Sequence, residues 1–375
     1  MLDCMQITSN ATGLQANLTV ATDKDARDHC VVVIKGTFQT NVRGEMTLAL
    51  EQRPLVTTDE HFGDPASTSV RYECDFALEK PLTDVLVVGK AVAPGGQHVE
   101  KLPVRLEVQG RNKDLMVHGE RRWVRSLGGV VASESLPFLE MPLTFERAFG
   151  GQDDSRGPEL VATELRNPVG VGFHPHRNAA QIHNMPMPNI ELLGQSISSP
   201  RHHYEPAGFG CVGRSWQPRI VHAGTYDEFW RDNRAPFLPA DFNSRYHQCA
   251  PADQQFPHFR GGERIRCVHM AEQAVVHYVI PALRIPVRFR FLDGEVDRIA
   301  VLDTIILEPH LGLAMLVWRA SVPLRKKLTA LQEILVGDPP LKKTINPIGY
   351  RHGKPMFAGL AVALAWLRQR REGTR

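Results

Sequence analysis

The sequence has no excess of one charge: 44 basic and 41 acidic residues leave a formal net charge of +3 over 375 residues. Phosphate-backbone ligands call for a basic face, and this balance gives no support for nucleic-acid binding. Long apolar runs are missing too. The longest, MFAGLAVALAWL at residues 356–367, falls well short of the roughly 20 residues a spanning helix needs. No membrane insertion is expected, and the run reads as a buried or docking helix. Cysteine is sparse and unpatterned: Cys4, Cys30, Cys74, Cys211, Cys249 and Cys267 include no C-x-x-C pair, which argues against a zinc ribbon or a disulfide scaffold. The six are expected to be reduced, mostly small apolar fillers. The opening MLDCMQITSN carries an acid and no apolar stretch of the kind a secretory signal has, so the chain is expected in the cytoplasm.

What is present is an ordinary globular composition, 42% hydrophobic and 23% charged, long enough for one large domain or two to three smaller ones. Residues 1–136 read as antiparallel β structure. CVVVIKGTFQT (residues 30–40) and GEMTLALEQ (44–52) alternate around the turn NVRG, the second placing Met46, Leu48 and Leu50 on one side, and predict a hairpin. VRYECDFAL puts Val70, Tyr72, Cys74 and Phe76 in step. DVLVVGKAVA, a Pro-Gly-Gly turn and PVRLEVQG follow, the last with Val104, Leu106 and Val108 in step. Short strands with frequent turns predict a sandwich-like or open-barrel region and not a parallel βαβ sheet.

Residues 137–262 change texture, holding fourteen of the 27 prolines. Long regular elements are not expected there. Disordered linkers are poor in aromatics, whereas this segment carries Phe173, Phe209, Trp216 and five more rings in GTYDEFWRDNRAPFLPADF (224–242). It is therefore read as an ordered, irregular layer packed on the sheets. Alternation returns at residues 263–322, where Val287, Phe289 and Phe291, then Val301, Asp303, Ile305 and Leu307, then Leu313, Met315 and Val317 predict a three-stranded meander on the same core. Two helices are expected in residues 323–375. The first, at 323–336, lines up Leu328, Leu331 and Leu335 before Gly337, Pro339 and Pro340, and the second covers about 354–371. The fold class is thus mainly β, of α+β type.

Catalytic patterns are thin. His174-x-His176 and His202-His203 are the densest histidine clusters, yet both sit in proline-bounded loops with no third ligand at an H-E-x-x-H-like spacing. Asp153-Asp154 in GGQDDSRG reads as an exposed turn, and no G-x-S-x-G elbow or papain-like cysteine context occurs. No catalytic residue, metal or cofactor is expected.

The aromatic stretch is more informative. Thr225-Tyr-Asp-Glu228 fits a capping box, predicting a short helix from Tyr226 in which Tyr226, Trp230 and Arg234 stack along one face. Pro236 disfavours helical geometry at Ala235. The chain from Phe237 through Pro239 to Phe242 should run extended with its rings free to fill apolar holes. Two roles fit: a clamp that staples irregular chain to the core, or a groove for another polypeptide. The residues that would contact a partner are Tyr226, Phe229, Trp230, Arg234 and Phe237, with Leu360, Leu364 and Leu367 on the last helix.

An ordered series of segments carries a family resemblance: FERAFGG (145–151), NPVGVGF (167–173), MPNIE (187–191), EPAGFGCVGRSWQPR (205–219) and GTYDEFWRDNRAPFLPADFNSRYHQCAPADQQ (224–255), preceded by VIKGTF, CDFALEKPLTDVLVVGKAVAPGG and GERRWV. Together they resemble the bacterial domain-of-unknown-function family encoded beside type VI secretion spike and effector genes, over about residues 31–320. Its signature positions here include Arg147, Asn167, Pro168, Asn189, Phe209, Trp216, Arg219, Thr225, Asp227, Glu228, Pro239 and Asp241. The resemblance implies a non-enzymatic adaptor or chaperone that holds an effector and helps load it onto a VgrG spike or its PAAR-type tip. The alternatives are a metal-dependent hydrolase or modifying enzyme using the loop histidines, and a structural spike component exported with the effector.

Overall fold

The computed structural model describes residues 6–324, 330–337, 349–351 and 354–356. The chain divides into two compact units, Met1–Gly337 and Asp338–Arg375. The described part of the second is an antiparallel pair, Gly349–Arg351 with Lys354–Met356.

The first unit is mainly β. Its largest sheet runs in the order Gln255–Phe256, Thr83–Val87, Val301–Glu308, Leu313–Pro323, Asp28–Thr40, Gln15–Thr22, with Met46–Leu48 also paired to Asp28–Thr40. Neighbours are antiparallel except Thr83–Val87 and Val301–Glu308, which run parallel. A five-stranded sheet orders Ile190–Leu192, Arg111–His118, Lys101–Val108, Arg264–Val268 and Val275–Val279, and a four-stranded one orders Ser9–Asn10, Leu331–Val336, Pro286–Phe291 and Gly294–Ile299. Each of the two larger sheets takes strands from both ends of the sequence, so residues 1–136 and 263–322 share their sheets.

The central strands of the large sheet are buried on both faces. Val32, Ile34, Leu316 and Trp318 enter the main core, while Val31, Val33 and Val317 form a separate cluster on the other side with Ala21, Leu55, Phe76 and Leu78 packed against it. Near-continuous apolar runs such as VVVI are what such doubly covered strands require. The expected hairpin forms with Thr40 opposite Met46, and its turn is held by Asn41 Oδ1 accepting from the amides of Arg43 and Glu45. Of the row Met46, Leu48 and Leu50, only Met46 packs against the core, while Leu48 and Leu50 are exposed. Val104, Leu106 and Val108 do enter it.

Two expectations fail at the C-terminal end of this unit. The predicted three-stranded meander is two hairpins in different sheets. Pro286–Phe291 pairs with the additional strand Gly294–Ile299, and the chain then crosses to the large sheet, where Val301–Glu308 pairs with Leu313–Pro323. The helix expected at 323–336 is a strand at Leu331–Val336, paired to Pro286–Phe291. The register slips there, with Phe291 opposite Leu331 but Arg290 opposite Glu333. That one-residue bulge puts Leu331, Ile334 and Val336 in the core together, and a three-residue spacing of inward residues imitates a helix. Leu328 lies outside the described residues. Of the last expected helix, Lys354–Met356 is strand; the remainder, with Leu360, Leu364 and Leu367, lies outside the described residues.

Residues 137–262 form an ordered layer with only short helices, Ala179–Ile182, Gln217–Ile220 and Glu228–Asn233. Side chains do the work that ladders do elsewhere. Buried Asn167 donates through Nδ2 to the carbonyls of Phe145 and Phe149 at 2.8 and 3.0 Å, next to Pro168 in sequence. Arg147 Nη1 bonds Asn189 Oδ1 at 3.0 Å, and Asn189 Nδ2 reaches the Gly119 carbonyl at 3.1 Å. Trp216 is buried edge-on to Phe145 with centroids 5.2 Å apart. Phe209 is fully buried, and Arg219 donates to the carbonyls of Val212 and Tyr246 at 2.8 Å each. Such bonds satisfy backbone groups that irregular chain would otherwise bury unpaired.

Candidate functional cleft

The aromatic stretch begins at Gly224, whose φ of +86° suits glycine, and an added Cβ would meet Pro239 Cβ at 2.8 Å. Thr225 then closes a loop on Asp241: its amide and its hydroxyl donate to the two carboxylate oxygens at 3.0 and 2.7 Å. These bonds hold the Asp241 carboxyl below its usual range. The predicted capping box is therefore wrong by two residues. The helix spans Glu228–Asn233, and its cap is Asp227, whose Oδ1 accepts from the Trp230 amide at 2.8 Å. Threonine was the better-looking cap in the sequence, but its hydroxyl is taken by Asp241, a partner 16 residues away.

Tyr226 and Trp230 do meet, edge to face, at 4.7 Å. Arg234 does not complete the stack. Its Nε donates to the Leu238 carbonyl at 3.1 Å and its Nη2 to the Lys24 carbonyl, while Trp230 Nε1 donates to the Phe237 carbonyl at 2.8 Å. Trp230 and Arg234 thus staple the arm to itself and to the turn after Gln15–Thr22. The exposed rings are Tyr226, Phe229 and Phe237, at 53%, 68% and 45%.

This arm forms one side of an open cleft of about 780 Å³. The other sides are the turn Ala21 to Asp25 and the segment Phe76 to Glu79, with Phe242, Tyr246 and His247 also facing it. Phe242 packs on the rings of Tyr246 and His247 at 5.9 and 5.6 Å. The segment Phe76 to Glu79 is bracketed by two buried ion pairs, Lys35 Nζ to Asp75 Oδ2 at 2.9 Å and Lys80 Nζ to Asp84 Oδ2 at 2.8 Å. Asp84 also accepts from Gln248 Nε2 and from the amides of Cys249 and Ala250. Burial works against its charge, but Lys80 and these donors outweigh it and hold the carboxyl below the usual range. Burial, then the cations Lys80, Arg319, Arg214 and Arg219, push His247 down to about 4, so it faces the cleft uncharged at neutral pH.

Among the described residues, Glu73, Cys211 and Cys249 bring donor atoms within 4.8 Å of one another. The surroundings oppose a cation there: Glu73 is paired to Arg219 at 2.8 Å and Arg214 at 3.1 Å, and Lys80 Nζ lies 3.4 Å from Cys249 Sγ. Cys30, Cys211, Cys249 and Cys267 are buried free thiols and Cys74 is partly exposed. His174 is buried with neither ring nitrogen hydrogen-bonded among the described residues, and burial holds its pKa below the ordinary value. Asp153, expected on an exposed turn, is fully buried. It accepts from the amides of Ser155 and His176 and pairs with Arg177 at 3.2 Å, while Asp154 stays exposed.

Phe76 to Glu79, Tyr246 and His247 lie within segments that carry the family resemblance, but no spacing in the sequence marks them as one site with Ala21 to Asp25. They come together only in the fold: Ala21 ends strand Gln15–Thr22, Phe76 to Glu79 precedes strand Thr83–Val87, and Tyr246 and His247 lie in the short turn Ser244–His247. Residues 25–319 match the family described as uncharacterized proteins conserved in bacteria (DUF2169), and the chain belongs to that family. No curated protein and no solved structure matches it.

Proposed function

We propose that this member of the family is a non-enzymatic adaptor that binds a type VI secretion effector and helps load it onto a VgrG spike or its PAAR-type tip. The supporting observation is the cleft beside an arm that exposes Tyr226, Phe229 and Phe237. Clustered apolar surface on a soluble fold marks a site where another polypeptide is held. The sequence resemblance supplies the secretion context. No helix among the described residues is long and apolar enough to cross a membrane.

The arm's side chains divide the two roles. Trp230 and Arg234 bond within the protein and act as clamp; Phe229 and Phe237 project outward and are free to act as groove. Co-expression of the tagged chain with the effector encoded beside it should recover that effector, and the Phe229→Ala/Phe237→Ala variant should recover at least about tenfold less while melting at the unchanged temperature. Undiminished recovery by the folded variant defeats the groove, and failure of the unaltered chain to retain the effector defeats the adaptor role.

A further inference from the structure

Among the described residues, strand Gln15–Thr22 is the last strand on its side of the large sheet over Cys30 to Lys35. Thr37 accepts from the Ala49 amide on that same side of Asp28–Thr40, so the odd-numbered residues of that strand point toward Gln15–Thr22. In an antiparallel ladder their partners Gln15, Asn17, Thr19 and Ala21 point inward, and Ala16, Leu18 and Val20 present their amides and carbonyls outward. The Leu18 amide is bonded by Asn17 Oδ1 at 2.8 Å. Among the described residues, no other partner meets these outward groups.

Edge strands are ordinarily blunted by lysine, proline, a bulge or brevity. This one is eight residues long, QANLTVAT, with no charge and no proline. Its register with Asp28–Thr40 is unbroken. An edge left this open is a template for a further strand. At its end, Ala21 and Thr22 line the cleft, on the side where Ala21, Phe76 and Leu78 pack against the same cluster of Val31, Val33 and Val317. Among the described residues, the cleft lining carries Asp23, Asp25 and Glu79 against Lys24 as its sole cation, His247 being uncharged. Asp23 is taken up by its own turn and by His29 at 2.9 Å, while Asp25 and Glu79 have no ionic partner among the described residues.

The geometry points to the edge of Gln15–Thr22 as the seat of an extended segment of another polypeptide. That segment adds a strand through the outward groups of Ala16 and Val20 and the Leu18 carbonyl, places alternate apolar side chains over Phe76 and Leu78, and carries a basic residue at the end facing Asp25 and Glu79. This rests on the reading that the chain holds another polypeptide, and it specifies how. A second copy of the chain is a poorer occupant, because in an antiparallel pair of these edges the stretch of the copy that reaches Asp25 and Glu79 is Ser9 to Leu14, which carries no basic residue.

The test uses the full-length chain and a capped peptide of alternating valine and threonine with lysine at each end. Binding should slow amide exchange at Ala16 and Val20 by about tenfold or more at saturation; glutamate ends should weaken it at least about tenfold at low salt. N-methylation at alternate peptide residues should abolish it, since that removes ladder donors and leaves the side chains in place. Equal binding of the N-methylated peptide, unchanged exchange at these amides, or no binding of the lysine-ended peptide overturns the proposal. So does slow exchange at Ala16 and Val20 in the chain alone, which would mean that the chain itself or a second copy covers the edge. The adaptor reading is judged separately by effector recovery: an Ala16→Pro/Val20→Pro variant that folds and still recovers the effector overturns the edge docking alone.

Discussion

Trp230 Nε1 donates to the Phe237 carbonyl at 2.8 Å, across the turn Arg234–Phe237 that follows the short helix Glu228–Asn233, where extended chain was expected. The bond fixes where the exposed ring of Phe237 sits relative to Tyr226 and Phe229. Trp230→Phe keeps a ring against Tyr226 and deletes this donor. A net loss of about 1 kcal/mol is expected, read as roughly fivefold faster amide exchange across the arm, with the global melting temperature nearly unchanged. If exchange in the arm does not move, the indole is not its staple.

The cleft segment Phe76 to Glu79 depends on Lys80 and Asp84, both buried and 2.8 Å apart. Removing one partner of such a pair costs about 3–5 kcal/mol, because the other charge is left alone in a low-dielectric site. Asp84→Ala should lower the urea midpoint accordingly, and the Lys80→Met/Asp84→Ala double variant should recover part of the loss. A double variant no more stable than the single would mean that the Asp84 bonds to Gln248, Cys249 and Ala250 carry the effect instead.

His247 titrates near 4 in the folded chain, against about 6.5 in the unfolded one. The fold therefore favours the neutral ring. Its contribution is fully present above about pH 6.5 and is lost as pH falls toward about 4, where protonation favours the unfolded chain by on the order of 3 kcal/mol. The depressed carboxyl of Asp84 adds a loss of the same sign at lower pH, where it too must be protonated. Denaturant unfolding measured from pH 7 to pH 4 should show this decline, and His247→Gln should flatten the upper part of it. A variant with the same slope as the unaltered chain would remove His247 as its source.

Local pattern carried far in this chain where burial follows strand alternation, as at Val104, Leu106 and Val108, and in the aromatic richness that marked residues 137–262 as packed chain. It failed where a distant partner captured a side chain. Thr225 looked like a helix cap until Asp241 took its hydroxyl, and Asp227 capped instead. Leu328, Leu331 and Leu335 looked like one face of a helix, but Leu331 and Leu335 lie on a strand whose bulge opposite Arg290 turns Ile334, not Leu335, inward with Leu331. Asp153 looked like part of an exposed turn, but Arg177 and two backbone amides compensate its burial.

The sequence by itself determined the mainly β character, the ordered irregular layer and the aromatic arm, since these follow from periodicity, proline spacing and composition, which are local quantities. Only the tertiary structure decided that residues 21–25, 76–79 and 236–247 enclose one cleft, that Lys35 and Lys80 pin one of its walls, and that Gln15–Thr22 is an edge among the described strands. Sheet order is the reason: strands from the two ends of the chain interleave, and the energy of that pairing lies in contacts between residues up to some three hundred positions apart, which no local window of sequence contains.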